Sequence, residues 1–391
     1  MAICFLTAGE SHGPQMTAIL EGIPAGLPLQ VEKINEDLAR RQKSLGAGGR
    51  MGIEKDQVHI LSGVMGGKTN GAPITLVVEN RDHRRWLGKE IDSYTTPRPG
   101  HADLSGLVKY GFDDIRPVLE RASARETTSR VAVGAVCRQL LAQFDIQVGG
   151  YVSAIGAVQA DLSRYTFEER FLLGKEALSG CPDPDADQAM QKTVKDIMQA
   201  KDTLGGVIEV FALGLPAGLG SYVQYDRRLD ARLAAAMLSV QAMKGVEIGD
   251  AFQNAALPGT AVHDPILLEN GTLVRPTNHD GGLEGGMTTG QPLWLRVAMK
   301  PIATTLKPQQ TVNLASGQET ETVYERSDFC PVPRAVVILE AMTCFVLADA
   351  LIEKLGGDSL EEMKPRFENL RKTRLEDLLL QEQKFVWWEE S

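Results

Sequence analysis

A mixed α/β architecture is predicted for this chain from three observations. Short apolar segments alternate with amphipathic helical stretches, glycine-rich connections separate them, and 43% of the 391 residues are hydrophobic. That content is enough to bury one large core or two medium ones. The apolar run Ile3 to Leu6 leads into a glycine-bracketed turn, Gly9-Glu10-Ser11-His12-Gly13. Ile74 to Val78, Val148 to Val158 and Val207 to Leu215 read as strands; in the last, only Glu209 interrupts the apolar pattern expected of a strand covered on both faces. A helix is expected from Ser123 toward Leu141: Ser123 and Glu126 have capping-box spacing, and Val133, Val136 and Leu140 continue one apolar face. A second is expected from Arg228 toward Lys244, closed by Gly245 as its C′ residue. Between them, Cys181 to Asp187 opens a polar connection. From Leu293 to Lys300, Leu293, Leu295, Val297 and Met299 alternate with Trp294, Arg296, Ala298 and Lys300, so Lys300 points away from the apolar side of a strand. Beyond Gly356 the chain turns charged and helical and ends in Phe385-Val386-Trp387-Trp388. A docked terminal helix is expected there, with a partner-binding peptide as the alternative.

Composition narrows the function. A net charge of −10 argues against a chain-wide nucleic-acid surface, while local basic clusters suit an anionic small molecule. The five cysteines are scattered without C-x-x-C or metal-ligand spacing, which fits a reduced, cytoplasmic compartment. No signal-peptide pattern opens the chain, and no run is expected to approach the roughly eighteen apolar residues that a membrane span needs. A soluble, unprocessed protein is expected. Neither a Gly-x-Gly-x-x-Gly nor a Walker A loop occurs, and no metal site is expected.

The chemistry-bearing residues lie in a few clusters. Flanking glycines let the His12 turn present an imidazole closely to a ligand. Arg98-Pro99-Gly100-His101-Ala102-Asp103 places a second imidazole on a Pro/Gly turn, and Arg326-Ser327-Asp328 sets a carboxylate beside an arginine. His59, His83 and His263 have no comparable setting and read as structural or surface residues. A hydrolase using Ser11 and His12 is disfavoured, because the Gly-x-Ser-x-Gly elbow is missing and adjacent side chains rarely align as nucleophile and base. Arg40-Arg41-Gln42-Lys43, followed by Gly46 to Arg50, joins guanidinium forks to a glycine-rich loop suited to phosphate or carboxylate; a solvated charge run is the alternative. Arg121 and Arg125 flank the expected helix start at Ser123, where cations oppose the macrodipole unless an anion binds or local carboxylates such as Asp113, Asp114 and Glu120 pair with them. The glycine pairs in Asn278 to Gly286 permit main chain to press on a flat ligand, or simply form a hairpin, and Lys300 to Thr305 adds a proline-constrained segment with two hydroxyls.

Together, the segments at 9–13, 98–103, 121–127 and 326–328 closely resemble chorismate synthase, supported by Gln241-Ala242 to Gly249, Asn278-His279 to Gly282 and Lys300-Pro301-Ile302. The resemblance runs in order over Met1 to Gly357 and implies a catalytic domain at 1–357 with a charged helical tail at 358–391. It implies an α+β fold with a layered β-α-β sandwich, a homotetramer, and a phosphorus–oxygen lyase. The implied reaction removes phosphate and a proton from 5-enolpyruvylshikimate 3-phosphate by 1,4-anti-elimination to give chorismate, requiring reduced FMN without net redox change. By matching position, His12 protonates the departing phosphate, His101 protonates the reduced flavin and Asp328 assists proton removal. Ser11, Arg41, Arg50, Arg125 and Arg334 are the implied substrate contacts. FMN is expected against Arg121, Ala122 and Ser123, Gln241 and Ala242, Gly285 and Gly286, Lys300, Pro301, Ile302, Ala303 and Thr304, and Arg326. Some family members reduce flavin with NADPH; no separate nicotinamide motif occurs here, so an external reductant is expected. Two positions depart from the family pattern: Ala47, where Arg is common, and His83, where an aromatic is expected. A catalytically impaired relative that binds FMN or a phosphorylated acid is the alternative.

Overall fold

The computed structural model describes residues 3–43, 45, 56–323, 327–378, 380 and 384, and places them in two larger antiparallel sheets with helices packed on them, plus four two-stranded ribbons. The first sheet holds β1 (Cys4–Ala8), β2 (Gln15–Glu21), β3 (Val58–Ile60) and β4 (Ile74–Glu79) in the order β1-β2-β4-β3. The second holds β5 (Gln147–Ile155), β6 (Val158–Gln159), β7 (Gly206–Leu213), β8 (Met243–Ile248) and β9 (Leu293–Met299) in the order β8-β9-β7-β5-β6. The principal helices are α1 (Val31–Gln42), α2 (Asp103–Tyr110), α3 (Arg116–Ala122), α4 (Thr127–Leu141), α5 (Phe167–Glu176), α6 (Pro184–Gln199), α7 (Leu229–Leu238), α8 (Val332–Leu355) and α9 (Leu360–Glu368). The result is an α+β fold.

Alternation decides which face each strand buries. Met16, Ala18 and Leu20 of β2 point inward while Gln15, Ile19 and Glu21 are exposed, and Leu293, Leu295, Val297 and Met299 of β9 are buried as the sequence predicts. Helix α4 packs on β2 and β4, α8 packs on β5 and β7, and the two helices pack on each other. Their approach depends on small residues: a Cβ on Gly134 would stand 2.3 Å from that of Ala341. Gly149 likewise leaves room for Phe211 and Phe171, whose rings a Cβ there would meet at 2.6 and 2.7 Å. At 24 residues, α8 is long and apolar enough by length and composition to cross a membrane, but it is a core helix, buried among α4, α7 and the second sheet. Arg334, Glu340, Asp349 and Glu353 interrupt its apolar character in the sequence.

Several boundaries differ from the sequence expectation, each for a local reason. The strand expected over 148–158 stops at Ile155, where Gly156 adopts φ +55° and returns the chain as β6. The helix expected from Arg228 to Lys244 ends at Leu238; Met243 to Ile248 is the edge strand β8, and Gly245 lies at its register shift rather than at a helix end. Its apolar residues serve strand alternation, which helical spacing had absorbed. Cys181 to Asp187 leads directly into α6, with Asp183 capping it and Pro184 in its first turn. Glu209, the exception in β7, is buried and accepts a 2.7 Å bond from the Tyr151 hydroxyl. In the tail, α9 is capped by Ser359 and docks through Leu360 and Met363, while the Phe367 ring packs tilted against Phe144 with centroids 5.1 Å apart. The Phe385 to Trp388 patch lies outside the described residues.

Candidate active site

The glycine turn after β1 is built around backbone strain and one asparagine. Gly9 adopts φ +115°, where a Cβ would lie 2.4 Å from the Gln15 carbonyl. The Asn80 amide donates to the carbonyls of Ser11 (2.9 Å) and Gly13 (2.8 Å), closing the turn over β4. His12 then docks on Glu120: its backbone N–H reaches Oε2 at 2.8 Å and its Nδ1 meets Oε1 at 2.7 Å. Trp86 lies against the His12 ring at 4.6 Å between centroids, and His83 Nδ1 donates to the His12 carbonyl at 2.8 Å. Ser11 and Ser123 hydroxyls are 3.0 Å apart. Burial raises the Glu120 carboxyl, but its bonds with His12 outweigh this and hold it below the usual range.

The second imidazole has a matching arrangement. His101 Nδ1 lies 2.5 Å from Asp103 Oδ1, and Arg98 grips the same carboxylate through Nε (2.8 Å) and Nη2 (3.0 Å). Asp103 is fully buried; burial raises its carboxyl, yet the His101 and Arg98 bonds keep it well below the ordinary range. Arg98 also reaches Thr304 Oγ1 at 3.2 Å, and Lys300 Nζ donates to the Gly100 carbonyl at 2.6 Å. Thus the 98–103 and 300–304 segments, nearly two hundred positions apart, form one wall.

A third group is cationic. Arg41 Nε donates to Thr127 Oγ1 (3.0 Å), its Nη2 to the Ala124 carbonyl (3.2 Å), and its Nη1 pairs with Asp56 (3.3 Å). Arg125 shares Asp56 at 3.0 Å, and Arg334 pairs with Asp328 at 2.5 Å. Burial pulls the Arg41 guanidinium down to about 10; Asp56 opposes that shift, while Arg125 and Arg334 add to it. Among the described residues, three guanidiniums and two carboxylates meet here, and forked guanidinium donors of this kind suit an anion. Arg125 has a carboxylate partner, but it is Asp56 rather than the nearby residues expected. Arg121 sits in the last turn of α3, the favourable end for a cation, and donates to the Thr7 carbonyl (2.9 Å) and the Gly9 carbonyl (3.3 Å). The α-helix starts at Thr127 after a 3₁₀ turn over Ala124–Glu126, so the expected macrodipole conflict does not arise at Arg121. Ser123 does cap that turn, accepting from Arg125 N–H at 3.3 Å, but no capping box forms because Glu126 binds Arg130, Thr7 and Gln241 instead.

Hydrogen bonds connect these groups. Ser11 touches Ser123; Thr7 bonds Glu126, which bonds Gln241; Ala242, at φ +67°, accepts the Lys300 N–H; and Lys300 reaches Gly100 beside His101. Ala122 ends α3 within this chain, and the Ile302 carbonyl accepts from Thr203 at 2.9 Å, fixing Pro301 to Ala303 behind Lys300. Gly285 and Gly286 sit in the turn of a hairpin joining Leu283–Glu284 to Met287–Thr288, at φ +58° and +82°. Gly281 presses on Gly249, where a Cβ would come within 2.4 Å of the amide nitrogen. Turn geometry and chain crossing therefore account for these glycines. Arg50, Arg326 and Ala47 lie outside the described residues. Sequence reading passed over Asp56 and Trp86, took His83 as structural or surface, and treated Glu120 only as a possible arginine partner. Residue type alone carries no signal for such contacts across the fold. A cavity of about 570 Å³ opens elsewhere, over Ser153, Glu209, Glu247 and Arg296, and contains none of the site residues. Converging charge marks the candidate site.

Two imidazoles docked on carboxylates beside a buried arginine cluster define an acid–base enzyme for a polyanionic substrate. The family model "Chorismate synthase" matches residues 3–352. Chorismate synthase of Trichlorobacter lovleyi is 51% identical over 382 residues, covering 93% of this chain and 97% of the relative. That of Syntrophotalea carbinolica is 53% identical over 370 residues, covering 92% and 95%. A crystal structure of chorismate synthase aligns with a TM-score of 0.77 at 44% identity over 94% of this chain and 97% of its own. The chain belongs to the chorismate synthase family. It is a phosphorus–oxygen lyase that converts 5-enolpyruvylshikimate 3-phosphate to chorismate with reduced FMN as cofactor.

The residues present suit that cofactor. Gln241 Oε1, Thr128 Oγ1 and Ser129 Oγ are buried without a hydrogen-bond partner among the described residues; Thr128 and Ser129 lie in the first turn of α4, and Gln241 bonds Glu126 just before it. Lys300, whose N–H bonds the Ala242 carbonyl, and Arg121, which bonds Thr7, whose hydroxyl donates to Glu126, are the neighbouring cations.

Proposed function

We propose that the elimination is carried out by His12 as proton donor to the departing phosphate, His101 as the imidazole holding a proton beside the flavin, and Asp328 as the group assisting proton removal. Arg41, Arg125, Arg334 and Arg50, with Ser11, bind the substrate's phosphate and carboxylates. The observation that supports this reading is the presence of two carboxylate-docked imidazoles together with a buried group of arginines. His12 and Glu120 keep a transferable proton at the turn, and the arginines hold the leaving phosphate as its negative charge grows. Arg121, Ala122, Ser123, Gln241, Ala242, Gly285, Gly286, Lys300 to Thr304 and Arg326 are the proposed FMN contacts. When bound, reduced FMN lends an electron transiently, with no net redox change.

The reading extends to a layered β-α-β sandwich, supported by α4 on the first sheet, α8 on the second and the contact between them. It also includes a catalytic unit at 1–357 with a charged helical tail at 358–391, a cytoplasmic homotetramer, and flavin reduction by an external reductant. The test is anaerobic turnover of 5-enolpyruvylshikimate 3-phosphate with FMN and dithionite, following chorismate absorbance and phosphate, with His12→Ala as control. Equal yields of both products, lost in His12→Ala, support the assignment. Tight FMN binding without turnover would instead favour an impaired relative.

A further inference from the structure

We propose that Glu120 is a positioning residue that holds His12 in one ring orientation and one tautomer, with Nδ1 protonated and Nε2 left as the atom for proton transfer. The proposal rests on the proton-donor reading of His12. Both oxygens of Glu120 are committed to this one residue, Oε1 to the ring and Oε2 to the backbone N–H, so translation and ring rotation are restrained together. The end of α3 is joined to the turn a third time, because Ser11 N–H donates to the Glu120 carbonyl at 3.2 Å. Trp86 covers one side of the ring, and His83 holds the carbonyl of the same residue. His12 is thereby fixed through its ring, its N–H and its C=O, while Nε2 has no hydrogen bond among the described residues.

The tautomer follows from donor and acceptor capacity. An ionised carboxylate only accepts, and Glu120 lies on the ionised side at neutral pH, so the proton in the 2.7 Å contact belongs to Nδ1. When the ring delivers a proton from Nε2, its Nδ1–H still points at the Glu120 carboxylate, so the delivering atom stays the one turned away from Oε1. His83, which departs from the family pattern, takes part in this clamp rather than standing apart from it.

Glu120→Gln distinguishes positioning from mere packing. Its single acceptor oxygen can satisfy the His12 N–H, but its amide nitrogen then faces Nδ1 as a donor and drives the ring proton to Nε2. In ¹⁵N-histidine-labelled protein, with the His12 resonance assigned by its loss in His12→Ala, the wild type should show the Nδ1–H tautomer and Glu120→Gln the Nε2–H tautomer. The kcat should fall about 100-fold with KM changed less than about threefold. Glu120→Asp keeps the acceptors and should retain the wild-type tautomer, which serves if the glutamine variant fails to fold. An unchanged tautomer in folded Glu120→Gln, or an Nε2–H tautomer in the wild type, would overturn the proposal. Turnover surviving in His12→Ala would remove the proton-donor reading, while the tautomer measurement still judges the docking by Glu120.

Discussion

Replacing Glu340 tests whether an ion knot in the core holds up the candidate site. Its carboxylate, with no exposure, accepts from Arg40 Nη1 (2.7 Å), Arg40 Nη2 (2.8 Å) and Arg138 Nη2 (2.8 Å), tying α8 to α1 and α4. A glutamine of the same shape offers one acceptor oxygen and no charge, so at least one charge-assisted bond is lost and an amide N–H faces a guanidinium. Charged hydrogen bonds contribute about 1.5–3 kcal/mol each, and breaking a buried pair from one side costs about 3–5 kcal/mol. Asp37 remains 3.1 Å from both Arg40 and Arg138, which retain this second partner. The expected loss for Glu340→Gln is therefore about 3 kcal/mol, at the lower end. It should appear as a lower urea midpoint at unchanged m-value, read by tryptophan fluorescence at pH 7. The Arg40 and Arg138 bonds outweigh burial and hold the Glu340 carboxyl below its ordinary value, so the unfolded chain takes up this proton first on acidification. The stabilisation is complete above the unfolded value of about 4.3 and is lost as pH falls through the folded one. The gap between wild type and Glu340→Gln should narrow accordingly. A difference below about 1 kcal/mol at pH 7, or a gap that widens in acid, would refute the reasoning.

Other perturbations probe the site itself. Asp103→Asn removes the charge and replaces one of the two acceptor oxygens that serve His101 and Arg98 with an amide donor, and chorismate formation should fall at least tenfold while FMN affinity, followed by flavin fluorescence, changes less. Arg41→Ala should raise the KM for substrate about 10- to 100-fold, the equivalent of one charged hydrogen bond, in steady-state assays; an unchanged KM would place the phosphate elsewhere. Gly9→Ala forces a Cβ to within 2.4 Å of a carbonyl at φ +115°, so the turn must shift; kcat should drop with a loss of about 1–3 kcal/mol in unfolding measurements.

Adjacent arginines show what could be read beforehand. The pair Arg40-Arg41 was recognised in the sequence as a possible anion site, yet the two residues have different tasks. One turn of α1 points Arg40 at Glu340 in the helical core and Arg41 at Asp56 and Thr127 beside the site. Nothing in the dipeptide separates them, because the separation comes from what α4 and α8 bring to each side. The same holds for α7 and β8, where one apolar pattern served a helix and then a strand: only pairing with β9 shows that Met243 to Ile248 is extended.

By itself, the sequence determined the alternating burial of β9, the glycine-bracketed His12 turn, the Pro/Gly turn at His101 and the family to which the chain belongs. These are properties of neighbouring residues, set by side-chain periodicity and backbone freedom, or of motifs that retain their order. The tertiary structure alone decided that Glu120 docks His12, that Asp56 bridges Arg41 and Arg125, and that Lys300 reaches back to Gly100. These partners are distant in sequence or hidden among ordinary charged residues. Their pairing depends on where sheet order and helix packing deliver each side chain, because a charged group becomes specific only when burial removes its alternative partners in water.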